Sequence, residues 1–432
     1  MMAQAELIAG EPTLVVAKTN HNANKLALED RAFHDWYRFV LSFPPHLVRD
    51  YAVRFGLERG QIMLDPFCGT GTTVVEAKRQ GFPAIGFEAN AMAHFASQVK
   101  TNWSIDPEQL MQDADAIAAT AEAILQTWNG APLRTLPNEA AALLLTDSIS
   151  PRPLHKALVL RDVIDDHGTR ATTDHLRLAL AKTLVFAASN LHFGPEVGVQ
   201  RTKLVDAPVV ERWVQAVRLM TDDLRTVHTT APPVTVHHAD ARQAAHLVEP
   251  ASIDAVFTSP PYPNEKDYTR TTRLESVVLG FIHNKAELQA LKKGLLRSNT
   301  RNVYKQDADD AWVADHDEIQ AIAAEIERRR VEMGKTSGFE RLYGRVTKLY
   351  FGGMARHLAD LRPLLKPGAY LGYVVGDQAS YLQVLIQTGR LLGEIAASLG
   401  YEVIGLDLFR TRLATATKQQ MREEVLLLRW PG

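Results

Sequence analysis

Residues 61–73 read Gln61-Ile62-Met63-Leu64-Asp65-Pro66-Phe67-Cys68-Gly69-Thr70-Gly71-Thr72-Thr73. An apolar run ends in an acid and a proline, two glycines follow, and residues with helical spacing continue to a terminator at Gly81. This is a strand, a glycine loop and a helix start, the context in which glycine lets backbone approach a ligand closely. It is not a phosphate loop, because the lysine of that motif is missing, and the glycines do not stand at dinucleotide-binding spacing. A strand-tip carboxylate beside close-approach glycines suits a ligand with a charged amino-acid end and no pyrophosphate.

Outward from this unit, strand-like runs occur at 83–89, 234–240, 254–261, 369–377, 402–409 and 423–430, seven with the first. Helical stretches separate several of them, such as Ser380 to Leu399, and the runs are apolar along their length. That pattern predicts an α/β fold with a Rossmann-like parallel sheet covered on both faces. The last two runs are joined by a polar segment without a helical repeat, which predicts a hairpin placing one antiparallel strand in the sheet. Glu88 ends the second strand 23 residues after Asp65, near the offset at which an acid meets ribose hydroxyls in such folds. Asp240 ends the third, where a carboxylate can accept from the exocyclic amine of an adenine. Each acid alone reads as a helix cap and the glycines alone as a tight turn; three such tips at one sheet edge point to a nucleoside.

Thr258-Ser259-Pro260-Pro261-Tyr262 follows the apolar run Asp254 to Phe257. Two prolines end a strand and remove two amide donors, leaving carbonyls that only accept. A nucleobase amino group could give one hydrogen to the Ser259 hydroxyl and one to the Pro260 carbonyl, while Tyr262 offers a face for an extruded base. A rigid turn is the competing explanation of Pro-Pro-Tyr taken alone.

Two insertions interrupt the sheet pattern. Residues 101–231 are rich in Ala, Leu and spaced charge and read as a helical layer or subdomain. Residues 281–345 carry Lys292, Lys293, Arg297, Arg301 and Lys305 with no acid among them, a candidate target-recognition segment. A catalytic domain is left at 26–100, 232–280 and 346–432.

The chain has 432 residues, 46% hydrophobic and 23% charged, enough apolar material for a sizeable core, so global disorder is excluded. No apolar run reaches the roughly 20 residues of a spanning helix. The start, MMAQAELIAGEP, shows no signal-peptide pattern, and a cytoplasmic location is the expectation. With 48 Lys and Arg against 50 Asp and Glu, any polyanion must meet a local patch. The single cysteine, Cys68, lies in the glycine loop. Methylation at cytosine carbon 5, which needs a cysteine nucleophile, is therefore out of reach. No metal is expected: His237 and His238 alternate across a strand and lack a third convergent ligand.

DPFCGTGTT, GFEAN and TSPPY together resemble the amino-methyltransferase family of bacterial DNA methylases. The similarity extends to Phe33-His34-Asp35-Trp36-Tyr37 and to Ser42 to Val48 upstream, and downstream to DYTRTTRLESVVLGF, LKPGAYLGYVVGD and KQQMREEVLLLRW. The helical insertion matches no family motif. The resemblance implies S-adenosylmethionine as cofactor, held by Phe43, Asp65, Phe67, Gly69, Gly71, Thr72, Glu88, Asn90 and Asp240, and Ser259, Pro260, Pro261 and Tyr262 as the catalytic motif. It implies double-stranded DNA as partner, with a cognate restriction or defence system as a further one. Serine opening the catalytic motif is typical of cytosine-N4 enzymes, with adenine N6, an RNA base amine or a non-catalytic binding subunit as alternatives. Tyr268, Arg270, Arg273, Lys292, Lys293, Arg297 and Arg301 follow the motif and are expected along the nucleic-acid backbone. Arg341, Arg345, Lys348 and Arg356 form a second basic group.

Overall fold

The computed structural model describes residues 26–39, 42–128, 130–167, 171–193, 197–227, 231–264, 266–413 and 420–432. The N-terminal stretch MMAQAELIAGEP, and Lys418 and Gln419 of the last family-like run, lie outside them. Seven strands form the main sheet: β1 (Met63–Asp65), β2 (Ala84–Glu88), β3 (Val234–His238), β4 (Ile253–Thr258), β5 (Leu365–Gly376), β6 (Glu402–Leu413) and β7 (Gln420–Arg429). Their order is β3-β2-β1-β4-β5-β7-β6. The first five pair in parallel and β7 runs antiparallel between β5 and β6. The chain winds outward in both directions from β1 and β4, so a crevice opens at their carboxyl ends, where ligands of such sheets bind.

Local sequence explains these elements. All three residues of β1 are buried, as a central strand covered on both faces requires. Helix α1 (Pro45–Arg54) starts with proline at its first position. Helix α2 (Thr72–Gln80) begins after Gly71 and stops at Gly81, both left-handed at φ +86° and +89°. At Gly71 a side chain would also stand 2.9 Å from Ser97 Cβ in α3 (Ala91–Thr101), so glycine is required there for helix packing. Asn90 caps α3, its side chain accepting from the amides of Met92 and Ala93.

Residues 101–231 are mainly helical: α4 (Pro107–Gln126), α5 (Pro151–His167), α6 (Thr173–Thr183) and α7 (Val209–Arg225). They also contain a two-stranded antiparallel hairpin, Leu191–Phe193 with Val197–Val199, which the Ala- and Leu-rich composition concealed. These helices share one apolar core with the upstream motif and the sheet domain: Phe33, Trp36, Val75 and Phe95 pack with Leu158, Leu180 and Trp213. Asp223 of α7 accepts from Phe33 N at 2.9 Å and from Trp36 Nε1 at 2.7 Å.

Two sequence expectations change. The helix expected over Ser380–Leu399 is α8 (Thr388–Ser398) alone; before it, Leu382 and Gln383 take positive φ and Gln378 bridges Ile386. The polar segment expected as a connection after Phe409 belongs largely to the ladder, since β6 continues to Leu413 and β7 starts at Gln420. Among the described residues no helix is long and apolar enough to cross a membrane.

Candidate active site

The carboxyl ends of β1, β2 and β4 open on a cavity of about 540 Å³, a volume ordinary for a small-molecule site. Its wall holds Phe43, Phe67, Gly69, Thr72, Glu88, Asn90 and Asp240 together with Ser259, Pro260, Pro261, Tyr262 and Tyr268. The structure thus brings the glycine loop, the acid of β2 and the proline motif into one space. Asp65 and Gly71 are not in the wall.

Asp65 lies beneath the loop, fully buried. Its Oδ1 accepts from Thr258 Oγ1 at 2.6 Å and from Phe67 N at 3.1 Å, tying the tips of β1 and β4 together. Its Oδ2 is buried without a hydrogen-bond partner among the described residues; the Thr73 hydroxyl donates instead to the Phe257 carbonyl at 3.0 Å. Burial raises the Asp65 carboxyl to about 6.

Glu88 is held by two backbone amides, Gly69 N on Oε2 and Asn90 N on Oε1, each at 2.7 Å. Gly69, at φ +53°, turns its amide toward this carboxylate. Burial nevertheless raises Glu88 to about 7, against the lowering by the two amides and with a smaller rise from Asp65. Asp240 is engaged from within the protein: Arg242 binds it at 2.6 Å and reaches Asp309 at 2.6 Å. Its freedom to accept from a bound adenine is smaller than the sequence suggested.

On the far side of β4, the Ser259 hydroxyl donates to the Val374 carbonyl of β5 at 3.1 Å. The Tyr262 phenol lies within hydrogen-bond reach of the same hydroxyl, which keeps accepting capacity for an incoming donor. Tyr262 N donates to the Tyr268 hydroxyl at 3.3 Å, fixing the loop after the prolines. Burial first, then Glu423 and Tyr268, push the Tyr262 phenol well above its usual value, so it stays neutral. Gly376 makes room for this ring: a Cβ there would stand 3.1 Å from Tyr262 Cε2 and 3.1 Å from Glu423 Cγ.

The basic residues expected on nucleic acid separate into two groups. Lys292 is paired with buried Asp267 at 2.7 Å. Arg297 is 5% exposed and holds Asp307 through two nitrogens at 2.8 and 2.9 Å. Both charges have a carboxylate partner inside the fold. Arg273 is likewise turned inward, bonding Thr269 and the Leu143 carbonyl. Arg270 is half-buried, Lys293 stands over the Tyr304 ring, and Arg301 stands over Phe339.

Several site residues carried no sequence signal. Buried Lys100 donates to the Thr70 carbonyl at 2.6 Å and to the Tyr37 carbonyl at 3.2 Å, and desolvation lowers it to about 7. It joins the glycine loop to the upstream motif. Tyr37 in turn donates to buried Glu275, which burial raises to about 7. Arg410, Arg412 and Glu423 of the C-terminal hairpin line the cavity beside Tyr262. Among the described residues no group of three or more His, Cys, Asp or Glu could hold a metal ion.

A family model described as DNA methylase matches residues 16–98, the span from before the upstream motif through the glycine loop to α3. The chain is 24% identical over 442 aligned positions to the type II methyltransferase M.BsoBI of Geobacillus stearothermophilus, covering 93% of this chain and 84% of that one. Both likenesses support the DNA amino-methyltransferase family. To the type II methyltransferase M.AvaI of Nostoc sp. it is 23% identical over 400 positions, covering 85% and 79%. A solved S-adenosylmethionine-dependent methyltransferase from Methanosarcina mazei overlays with TM-score 0.29 and 9% identity, over 88% of this chain and 96% of that one. The methyltransferase likeness implies S-adenosylmethionine as cofactor. The cavity fits such a group: a carboxylate preset by two amides stands at one end, aromatic faces line the wall, and the glycine loop lacks the lysine of a phosphate loop.

Proposed function

We propose that this methyltransferase modifies the N4 amino group of cytosine in double-stranded DNA, with the base turned out of the helix into the cavity. The observation that carries the reading is the Ser259 hydroxyl. With its hydrogen given to Val374 O at 3.1 Å, it would meet a substrate as an acceptor beside the Pro260 carbonyl. An amino group has two hydrogens to give, one to each. Held so, its nitrogen lone pair turns out of the ring plane, toward the glycine-loop side of the cavity. S-adenosylmethionine supplies there an electrophilic methyl on a sulfonium. Glu88 would hold the ribose, with Phe43, Phe67, Gly69, Thr72 and Asn90 around the remainder of the cofactor and Asp65 bracing the loop from below. Tyr262, neutral and half-buried in the cavity wall, would stack on the base.

Cytosine rather than adenine is favoured by serine opening the motif, as in the cytosine-N4 members that the chain resembles. Lys293, Arg301 and Arg270 would meet DNA phosphates, and residues 281–345 would read the target. The two relatives are named type II methyltransferases, and the same role beside a restriction enzyme, in the cytoplasm, is proposed here. The test is transfer of labelled methyl to unmethylated DNA by Ser259→Ala and Tyr262→Ala. Removing the acceptor or the stacking face is expected to cost about 1–3 kcal/mol, roughly ten- to hundred-fold in turnover, with cofactor affinity within about twofold. Full turnover in both variants would remove these residues from the chemistry.

A further inference from the structure

The C-terminal hairpin brings a second kind of charge to the cavity. In a regular strand Phe409 and Arg410 would face opposite sides of the sheet. Here the β6–β7 register slips between them: Leu408 pairs with Glu424 and Arg410 with Glu423, leaving Phe409 as an extra residue. Such a bulge re-aims side chains, and Phe409, Arg410 and Arg412 all line the cavity. Glu423 holds the two arginines, Arg410 through Nε at 2.5 Å and Arg412 through Nε at 3.3 Å. Arg412 also donates to the Asp377 carbonyl at 2.9 Å. In the cavity wall two guanidiniums share one carboxylate, while the Asp377 carboxyl faces Arg412 from behind the wall. Glu423 takes Arg410 by its inner nitrogen, not by the outer pair that matches two oxygens of a phosphate.

The place of this corner selects its ligand. Glu423 and the Tyr262 ring flank the same glycine, Gly376, so the arginines stand on the base side of the cavity. Glu88 is at the tip of β2, four strand positions from β7, or about 19 Å at the usual strand spacing. The cavity therefore has an acidic end, suited to ribose hydroxyls, and a basic end. An extruded nucleotide carries a phosphodiester on each side of its sugar, and the base is the only part that needs to pass beyond them.

We propose that Arg410 and Arg412, preset by Glu423 and by the bulge at Phe409, clamp a phosphodiester flanking the flipped base. This rests on the functional reading above. They are positioning residues, acting on where the nucleotide sits.

The test is the salt dependence of kcat/KM for methyl transfer to unmethylated genomic DNA. It compares the wild type, Arg410→Gln with Arg412→Gln, Arg412→Gln alone, and the double lysine variant. Losing two phosphate contacts should flatten the logarithmic salt slope by about 1.8, at roughly 0.9 per contact. KM for DNA should rise about tenfold or more, and S-adenosylmethionine affinity should stay within about twofold of wild type. The lysine variant should keep the slope. Arg412→Gln alone leaves the Arg410–Glu423 pair in place, so its expected loss of about 0.9 is readable should the double variant not fold. An unchanged slope in the glutamine variants overturns the clamp while leaving the methylation reading intact. A cofactor affinity that falls with the DNA affinity overturns it too, by assigning the arginines to the cofactor's own carboxylate. A wild-type enzyme that transfers no methyl to DNA overturns both readings.

Discussion

Replacing Glu88 by glutamine should damage cofactor binding for a reason visible in two hydrogen bonds. Both carboxylate oxygens accept from backbone amides, Gly69 N and Asn90 N, at 2.7 Å. Glutamine has one acceptor oxygen, so one amide must face an NH2 group, leaving a buried donor unsatisfied at a cost of about 1–3 kcal/mol. The charge-assisted bonds that the carboxylate would make to ribose hydroxyls add about 1.5–3 kcal/mol each. The amide penalty falls on free and bound protein alike and is read in stability, whereas losing two hydroxyl bonds, about 3–6 kcal/mol, implies a loss of S-adenosylmethionine affinity of roughly a hundred- to ten-thousand-fold, measured by titration calorimetry. The wild type should also show a pH signature. The carboxyl, raised by burial to about 7, must be ionised to accept from both hydroxyls. Binding therefore favours the deprotonated form, and affinity should rise as pH climbs through about 7. Ionisation goes from about a tenth at pH 6 to about nine-tenths at pH 8, a roughly tenfold gain in affinity. In Glu88→Gln this gain should vanish. Wild-type affinity that is flat from pH 6 to 8, or a glutamine variant that binds as tightly, would refute the placement of the ribose at Glu88.

Gly71→Ala should destabilise the loop by about 1–3 kcal/mol in denaturant unfolding, because it forces a side chain at φ +86° and meets Ser97 Cβ at 2.9 Å. An unchanged midpoint would refute the packing argument. Asp223→Ala strips the shared acceptor from Phe33 N and Trp36 Nε1 and should cost about 2–4 kcal/mol, read as a lower denaturation midpoint. A neutral outcome would mean that the insertion does not anchor the upstream motif. Gly376→Ala should reduce turnover more than cofactor affinity, since the added methyl presses on Tyr262 and Glu423 at 3.1 Å. Equal losses in both would place Tyr262 outside the base side.

Much of the sheet was legible because its signals are local. Residues 61–81 carry strand, glycines, helix and terminator in one stretch, and the strand tips at Glu88 and Thr258 follow from where apolar runs stop, whereas the strand before Asp240 ends two residues early, at His238. The antiparallel hairpin was legible from the absence of a helical repeat between its runs. What escaped depends on partners far away in the chain. The Lys292 to Lys305 run contains no acid, yet Asp267 and Asp307 take up Lys292 and Arg297 from outside it. Lys100 is an ordinary lysine near the end of a helix until the fold buries it under the Thr70 carbonyl. Arg410 and Arg412 look like part of a polar connection, because a bulge that turns them into the cavity depends on the register with β7 and has no mark in β6 itself. Asp65 follows the family motif, yet its side chain braces β4 through Thr258 and stays out of the cavity wall.

The central claim is that this cavity methylates an exocyclic cytosine amine, and the most direct measurement is the identity of the product. The full chain is incubated with S-adenosylmethionine carrying an isotopically labelled methyl and with DNA free of prior methylation, and the DNA is digested to nucleosides for mass spectrometry. The expected result is labelled N4-methylcytosine, lost in Ser259→Ala. Label on N6-methyladenine would overturn the assignment to cytosine while keeping the amine geometry, and label on cytosine carbon 5, or no label in DNA, would contradict the account.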